Sequence, residues 1–438
     1  MSDRSDDERE PRRGALGRRE FLARSAWVGL GGIVFLPGCG ASESAPGAAS
    51  AAQPRSGYLP PRMRRRRVLG RSGLEIPDIS FGGWGLDGQE HVVRHALERG
   101  ITHFDTAPDY ADGESEATMG RALAADRSRV TLATKFMARA NATQGEIMRA
   151  LEASLRRLRT DWVDVYFNHA VNRVERIRNP EWAEFVARAK QQGKIRASGM
   201  SGHGGRLAEC VDAAIDDGIT DVFLLAHNYA NMPSFWTAAQ RAKDMVTGGL
   251  DFVAYQPELP RLLERAHAAG LGVMVMKTRR GARYNDLSSF RADGSSETQA
   301  AFKWVLSSPH VHGLVVTMLS TDEIDHNLAA SGAGAPTLAD PRVLLEHEVR
   351  HAGSVCQQGC SGCVDACPLG VDIAGALRAR LYAERYERRD LGAATYAALQ
   401  ASAAACASCA SPVCATAAAC PAGIDIPRAT REAHRSLG

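Results

Sequence analysis

The chain has 438 residues, enough for two domains and a tail, and its 53 Lys and Arg nearly balance 50 Asp and Glu. A net charge of +3 creates no global field for nucleic acid, and the short basic run Arg64 to Arg67 reads as the solvated face of a hairpin. Ten cysteines are a modest number, but eight lie beyond residue 355, which confines sulfur chemistry to the C-terminal quarter and leaves Cys210 as an ordinary buried thiol.

Residues 1–39 read as a targeting segment. The stretch "GRREFLARSAWVGLGGIVFLPGCG" sets Arg18 and Arg19 before Phe21 and Leu22, then runs apolar from about Trp27 to Leu36. That run is too short and too glycine-rich to span a bilayer and suits a signal peptide. The paired arginines resemble a twin-arginine export signal, and "LPGC", Leu36 to Cys39, is similar to a bacterial lipobox whose cysteine is lipidated after cleavage. The expectation is an exported, periplasmic or membrane-anchored bacterial lipoprotein whose only membrane contact is its lipid. Residues 40–61 are small, polar and proline-punctuated, a flexible tether.

Residues 62–340 repeat a strand–helix rhythm. "RRVLGRSGLEIPDISFGG" predicts a hairpin turning at Ser72-Gly73 and leading into a buried strand. Apolar runs follow at "DISFGGW", "THFDT", "VTLATKF", "VDVYFNHA", "IRASGMS", "DVFLLAHN", "LGVMVMKT" and "HGLVVTML". Between them lie amphipathic helices such as "TQGEIMRALEASLRRLRTDW" and "LPRLLERAHAAG". Eight such units in this length predict a (β/α)₈ TIM barrel. An open doubly wound sheet would carry a glycine-rich fingerprint after its first strand, a spacing "FGGWGLDG" lacks. About twenty extra residues between "AHNYANM" and "LPRLLERA" suggest a lid over the barrel mouth.

Residues 341–438 read as a small helical domain built on two cysteine groups. "CPLGVDI" and "CPAGIDI" form a loose repeat, and the stretch between them, "ALRARLYAERYERRDLGAATYAALQASAA", is helix-forming throughout.

In a TIM barrel, reacting side chains sit at the carboxyl ends of strands. Four polar groups fall there on three consecutive units: Asp105 and Tyr110 in "FDTAPDY", Lys135 in "ATK" and His169 in "VYFNH". Each alone has a bland reading as a turn, rim or satisfied core residue. Together they supply what carbonyl reduction needs. Hydride arriving at the carbon leaves negative charge on oxygen, which a tyrosine can protonate. An adjacent lysine is expected to lower the phenol pKa, an aspartate to fix the lysine, and a histidine to give a second donor to the oxygen.

These motifs, with "FDTAPDYADGESEATMGRAL", "DWVDVYFNH", "GKIRASGMS" and "KWVLSSPHVHGLVVTMLSTDEIDHNL", resemble the aldo/keto reductase superfamily over roughly residues 64 to 335. The resemblance implies reversible reduction of aldehydes or ketones with a nicotinamide cofactor, NAD or NADP, and makes Asp105, Tyr110, Lys135 and His169 the catalytic tetrad. Cofactor-binding positions are then Ser201, Asn228, Ser320 and Asn327. Thr317 to Glu323 contains no Lys or Arg to hold a 2′-phosphate, and the amide-binding Ser-Asn pair and Gln of the superfamily become Ser201-Gly202 and Leu224. The cysteine-rich tail narrows the resemblance to the branch with a C-terminal iron–sulfur domain.

The first cysteine group is Cys356-x₃-Cys360-x₂-Cys363-x₃-Cys367-Pro and the second Cys406-x₂-Cys409-x₄-Cys414-x₅-Cys420-Pro. Both are expanded forms of the ferredoxin run, whose fourth cysteine serves the other cluster. On that rule Cys356, Cys360, Cys363 and Cys420 hold one 4Fe–4S cluster, and Cys406, Cys409, Cys414 and Cys367 a second. Zinc gives no reason for Cys-Pro. Disulfides compete because exported chains oxidise their thiols, whereas twin-arginine export carries proteins already folded around a cofactor. The expected partners are a small carbonyl or alcohol substrate and a redox protein. The competing reading is a lipid-anchored electron carrier or binding protein on a degenerate barrel that uses no nicotinamide.

Overall fold

The computed structural model describes residues 61–229, 258–279, 296–337, 339–344, 356, 363, 367–385, 388–399, 401–409, 420 and 423–438. The expected leader, its cysteine, the tether up to residue 60 and the proposed lid at 230–257 lie outside the described residues.

The chain enters as a two-stranded hairpin, β1 (Arg66–Val68) against β2 (Glu75–Pro77), with Arg67 opposite Ile76. Its turn is tighter than a simple two-residue loop: Gly70–Ser72 form a 3₁₀ turn closed by Gly73 in the left-handed region. The left-handed Gly70 has no room for a Cβ, which would stand 2.4 Å from the Gly272 nitrogen. Arg71 N donates to Gly270 O at 2.6 Å. Leu69, Leu74 and Ile76 pack into the same cluster as barrel-lining Ala133, Val165, Leu224 and Met274, so the hairpin plugs the floor.

Eight parallel strands then close on themselves: β3 (Ile79–Gly82), β4 (His103–Asp105), β5 (Thr131–Phe136), β6 (Val163–Asn168), β7 (Ile195–Gly202), β8 (Val222–Ala226), β9 (Gly272–Met276) and β10 (Gly313–Thr317), with β10 bonded to β3. All eight apolar runs of the sequence are strands. Outside lie α1 (Glu90–Glu98), α2 (Glu114–Leu123), α3 (Gln144–Leu158), α4 (Pro180–Gln191), α5 (Leu207–Asp217), α6 (Glu258–Ala268), α7 (Glu297–Leu306) and α8 (Thr321–Leu328). Their ends follow from local chemistry. Thr143 and Glu146 form a reciprocal capping box on α3, which Arg159 ends in the left-handed region, and Asn179 caps α4 with Pro180 in its first turn.

Beyond the barrel come α9 (Ile373–Glu384), α10 (Arg389–Ala397), a 3₁₀ turn at Ala403–Ala407 and α11 (Ile426–Leu437), packed round their own apolar cluster. The stretch read as helix-forming throughout is divided between two helices. Arg388 leaves helical geometry with φ −109 and ψ 75, and α10 folds back on α9. Gly392 permits the close contact: a Cβ there would meet Ala383 Cβ at 2.7 Å and Ala379 O at 2.8 Å. Residues 59–438 form one compact unit. Among the described residues no helix is long and apolar enough to cross a membrane.

Candidate active site

Strand register explains why an aspartate and a lysine meet. Asp105 at the end of β4 pairs with Ala133 on β5, and Lys135, two residues on, points to the same face one pleat further along. Lys135 Nζ donates to Asp105 Oδ2 at 2.6 Å and to Thr106 O at 2.7 Å, with both charged side chains buried. Asp105 Oδ1 is buried with no hydrogen-bond partner. The Tyr110 ring lies 4.9 Å from Lys135 Nζ and meets the His169 ring edge-on, centroids 6.0 Å apart. Nδ1 of His169 stands 3.4 Å from Asp109 Oδ1 without hydrogen-bond alignment. The four residues expected from the sequence therefore stand together at one end of the barrel.

Their electrostatics differ from expectation at one point. The Tyr110 phenol is pushed well above its ordinary pKa, first by burial and then by the negative charge of Asp105 and Asp109 and by Tyr382. The lysine was expected to lower it. Its ammonium is already neutralised by Asp105 and faces the ring, so the pair offers the hydroxyl little net positive field. Burial also raises the Asp105 carboxyl, against the pull of Lys135.

Backbone strain collects at this rim. Ala111 (φ 48), Asp112 (φ 51) and Gly113 (φ 92) run left-handed directly after Tyr110, Ala170 (φ 50) follows His169, and Lys277 (φ 59) follows β9. Non-glycine residues in this region cost about 1–2 kcal/mol each and persist where surrounding contacts hold them. Arg176 is such a contact around His169, and nothing in the sequence singled it out. Its Nε donates to Ala138 O at 2.7 Å, Nη1 to Ala170 O at 2.8 Å, and Nη2 to His169 O at 2.7 Å and to Asn168 Oδ1 at 3.0 Å. Burial lowers this guanidinium to about 10.

The expected cofactor-binding residues are spread over three strand ends. Ser201 is the penultimate residue of β7, and its Oγ accepts from Ala170 N at 3.1 Å, which leaves the hydroxyl proton to donate. Asn228 is buried just beyond β8, and Asn327 is buried on α8. Ser320 caps α8, its Oγ accepting from Glu323 N at 3.2 Å, while Glu323 Oε2 accepts from Leu319 N at 2.6 Å. Burial raises the Glu323 carboxyl. Arg279, beyond β9, influences Glu323 and is paired with Glu297 at 3.1 Å.

The family model described as Aldo/keto reductase family matches residues 78–334. The chain belongs to the aldo/keto reductase family. This aldo/keto reductase is 24% identical over 302 residues to L-glyceraldehyde 3-phosphate reductase of Escherichia coli (strain K12), covering 60% of this chain and 86% of the relative. It is 34% identical over 149 residues to methylglyoxal reductase YeaE of the same strain, covering 32% of this chain and 50% of that one. Among solved structures, aldo-keto reductase AKR11C1 from Bacillus halodurans (holo form) aligns with a TM-score of 0.49 at 23% identity, covering 64% of this chain and 95% of that one. The Klebsiella pneumoniae aldo/keto reductase in complex with NADP and acetate aligns with a TM-score of 0.48 at 22% identity, covering 64% and 94%. The protein is an oxidoreductase.

One part of this aldo/keto reductase's rim comes from outside the matched region. Helix α9 carries Tyr382 to the barrel, where Lys277 Nζ donates to its hydroxyl at 3.3 Å and its ring tilts against Trp84 at 6.2 Å. Arg388 lies over the other aromatic partner, its Cζ 5.6 Å from the Trp84 ring.

The candidate metal ligands are placed unevenly. Cys406 is buried in the C-terminal cluster, and Cys356, Cys363, Cys367 and Cys420 pack against it. Cys409 is half-buried on the turn's exit, while Cys360 and Cys414 lie outside the described residues. Among the described residues no three His, Cys, Asp or Glu stand close enough to hold a metal ion.

Proposed function

We propose that this oxidoreductase interconverts aldehydes or ketones and their alcohols, with Tyr110 donating the proton to the carbonyl oxygen in reduction and taking it back in oxidation. The observation that carries the reading is the Tyr110 ring set 4.9 Å from a Lys135 ammonium that Asp105 locks at 2.6 Å, with the His169 ring 6.0 Å away. A nicotinamide dinucleotide, when bound, supplies the hydride. The residues present suit its amide end best: the spare proton of Ser201 and the buried amide of Asn228 are donors and acceptors at adjacent strand ends. Ser320 and Asn327 suit the nucleotide end. Among the described residues Arg279 is paired with Glu297 and acts on Glu323, which leaves little of its charge for a 2′-phosphate and favours NAD(H) over NADP(H).

In reduction, negative charge develops on the carbonyl oxygen. Tyr110, held protonated by its surroundings, is a donor at that position throughout the neutral range. His169 gives the oxygen a second polar neighbour, fixed by the Arg176 clamp on its own carbonyl. Lys135 and Asp105 seat the phenol ring and keep a fixed dipole beneath it. Wild-type protein should oxidise NADH in the presence of an aldehyde. Tyr110→Phe should lower kcat by about 10²–10⁴ with the fold intact, the usual scale for losing a positioned acid. Equal turnover by the variant would refute the reading.

The same proposal extends to both ends of the chain. Residues 1–39 would direct export and lipidation, 40–61 would tether, 62–340 would form the reductase barrel and 341–438 an iron–sulfur domain with one or two 4Fe–4S clusters. Support comes from the donor set: four of the candidate thiols pack against the one apolar cluster that contains Cys406. A cubane cluster holds its thiolates further apart than a single ion does, so thiols too widely spaced for one ion remain compatible with it. Bound clusters would exchange single electrons with a redox partner. Protein purified without air should contain iron and acid-labile sulfide in equal amounts, and a protein lacking both removes this half of the proposal.

A further inference from the structure

The rim next to Tyr110 contains a cationic face that the family match does not account for. Arg378 sits one turn before Tyr382 on α9, so the two side chains share a face. Tyr382 is buried, in contact with Lys277 at 3.3 Å and with Trp84, which follows β3. β3 and β9, which Trp84 and Lys277 follow, flank β10, so Tyr382 sits over that sector of the mouth, one strand from β4, after which Tyr110 lies. Tyr382 acts on the ionisation of Tyr110, Asp109 acts on both phenols, Lys277 and Arg378 lower the Tyr382 pKa, and His203 feels the same two cations. Arg378 is half-buried, yet among the described residues no carboxylate pairs with it.

A half-buried guanidinium that shares a tyrosine neighbour with a lysine and has no carboxylate partner among the described residues gains when an anion arrives. We propose that α9 forms one wall of the substrate chamber, with Arg378 and Tyr382 selecting carbonyl compounds that carry an anionic group, a carboxylate or a phosphate. Arg378 would take the anion with its planar fork, and the Tyr382 hydroxyl, fixed by Lys277, would hydrogen-bond the same group. The proposal rests on the carbonyl-reductase reading of Tyr110 and adds the substrate class. It also gives the C-terminal segment a role that needs no metal.

The test compares kcat/KM for 4-carboxybenzaldehyde with benzaldehyde, and for glycolaldehyde phosphate with glycolaldehyde, in full-length wild type, Arg378→Gln, Arg378→Lys and Tyr382→Phe. The expected result is a preference for at least one anionic member in wild type. That preference should fall about tenfold in Arg378→Gln through KM, and Arg378→Lys should partly restore it, the scale of one charge-assisted contact. Which pair shows the preference identifies carboxylate or phosphate. Tyr382→Phe should lower the same preference less. No preference in wild type, or one that ignores position 378, would overturn the wall and leave the Tyr110 reading standing. Calorimetric titration with 4-(hydroxymethyl)benzoate and with glycolaldehyde phosphate reads the contact without turnover. Binding weakened in Arg378→Gln supports the wall even if Tyr110→Phe proves silent, and binding of neither compound, or binding indifferent to position 378, overturns it.

Discussion

At position 110 a phenol is held against an ion pair whose charge is already neutralised. Asp105 accepts from Lys135 at 2.6 Å, Thr106 O accepts a second hydrogen bond from the ammonium at 2.7 Å, and the ring receives what remains of the field. The consequence is a proton donor that stays protonated. Because burial, then Asp105 and Asp109, raise the Tyr110 pKa above its ordinary value near 10, the acid form required for reduction persists above neutrality. The turnover number for reduction should therefore stay flat between about pH 7 and pH 9, while alcohol oxidation, which needs the phenolate, should climb about tenfold per pH unit over the same range. Steady-state kinetics in both directions checks this. A reduction rate that falls through that window in wild type and not in Tyr110→Phe would contradict it. The four residues were legible because each lies at or shortly beyond the carboxyl end of a strand, where side chains of a barrel converge. The raised pKa was not, since it depends on which atoms the ammonium spends its protons on. Arg176 was equally invisible: three of its four partners are backbone carbonyls, of 138, 169 and 170, which leave no side-chain pattern.

Elements were more legible than the contacts between them. Each barrel strand is a short apolar run bounded by glycine, proline or a capping residue, so period and punctuation agree. The stretch from residue 376 to 404 shows where local signals stop. Every residue there tolerates a helix, yet α9 ends at Glu384 and α10 starts at Arg389, because α10 gains more by packing back on α9 through Gly392 than by continuing in solvent. That break also fixes the face α9 turns to the barrel, and with it Tyr382. No local feature of "LYAERYERR" announces that its first tyrosine meets a lysine 105 residues earlier. The hairpin turn likewise owes its tight form to a distant neighbour, the Gly272 backbone on β9.

On the scale of the molecule, barrel and C-terminal helices belong to one compact unit, joined through Lys277, Trp84, Tyr382 and Arg388. A segment that began as a cysteine-rich appendage in the sequence thus reaches the edge of the catalytic rim. The account depends on hydride and proton both arriving at one carbonyl beside Tyr110. Its most direct test is mass spectrometry of the alcohol formed from 4-carboxybenzaldehyde with dinucleotide deuterated at the transferred position. The account predicts a single deuterium on the carbinol carbon, formed far more slowly by Tyr110→Phe. Unlabelled alcohol, or label arriving as fast in the variant, would contradict it.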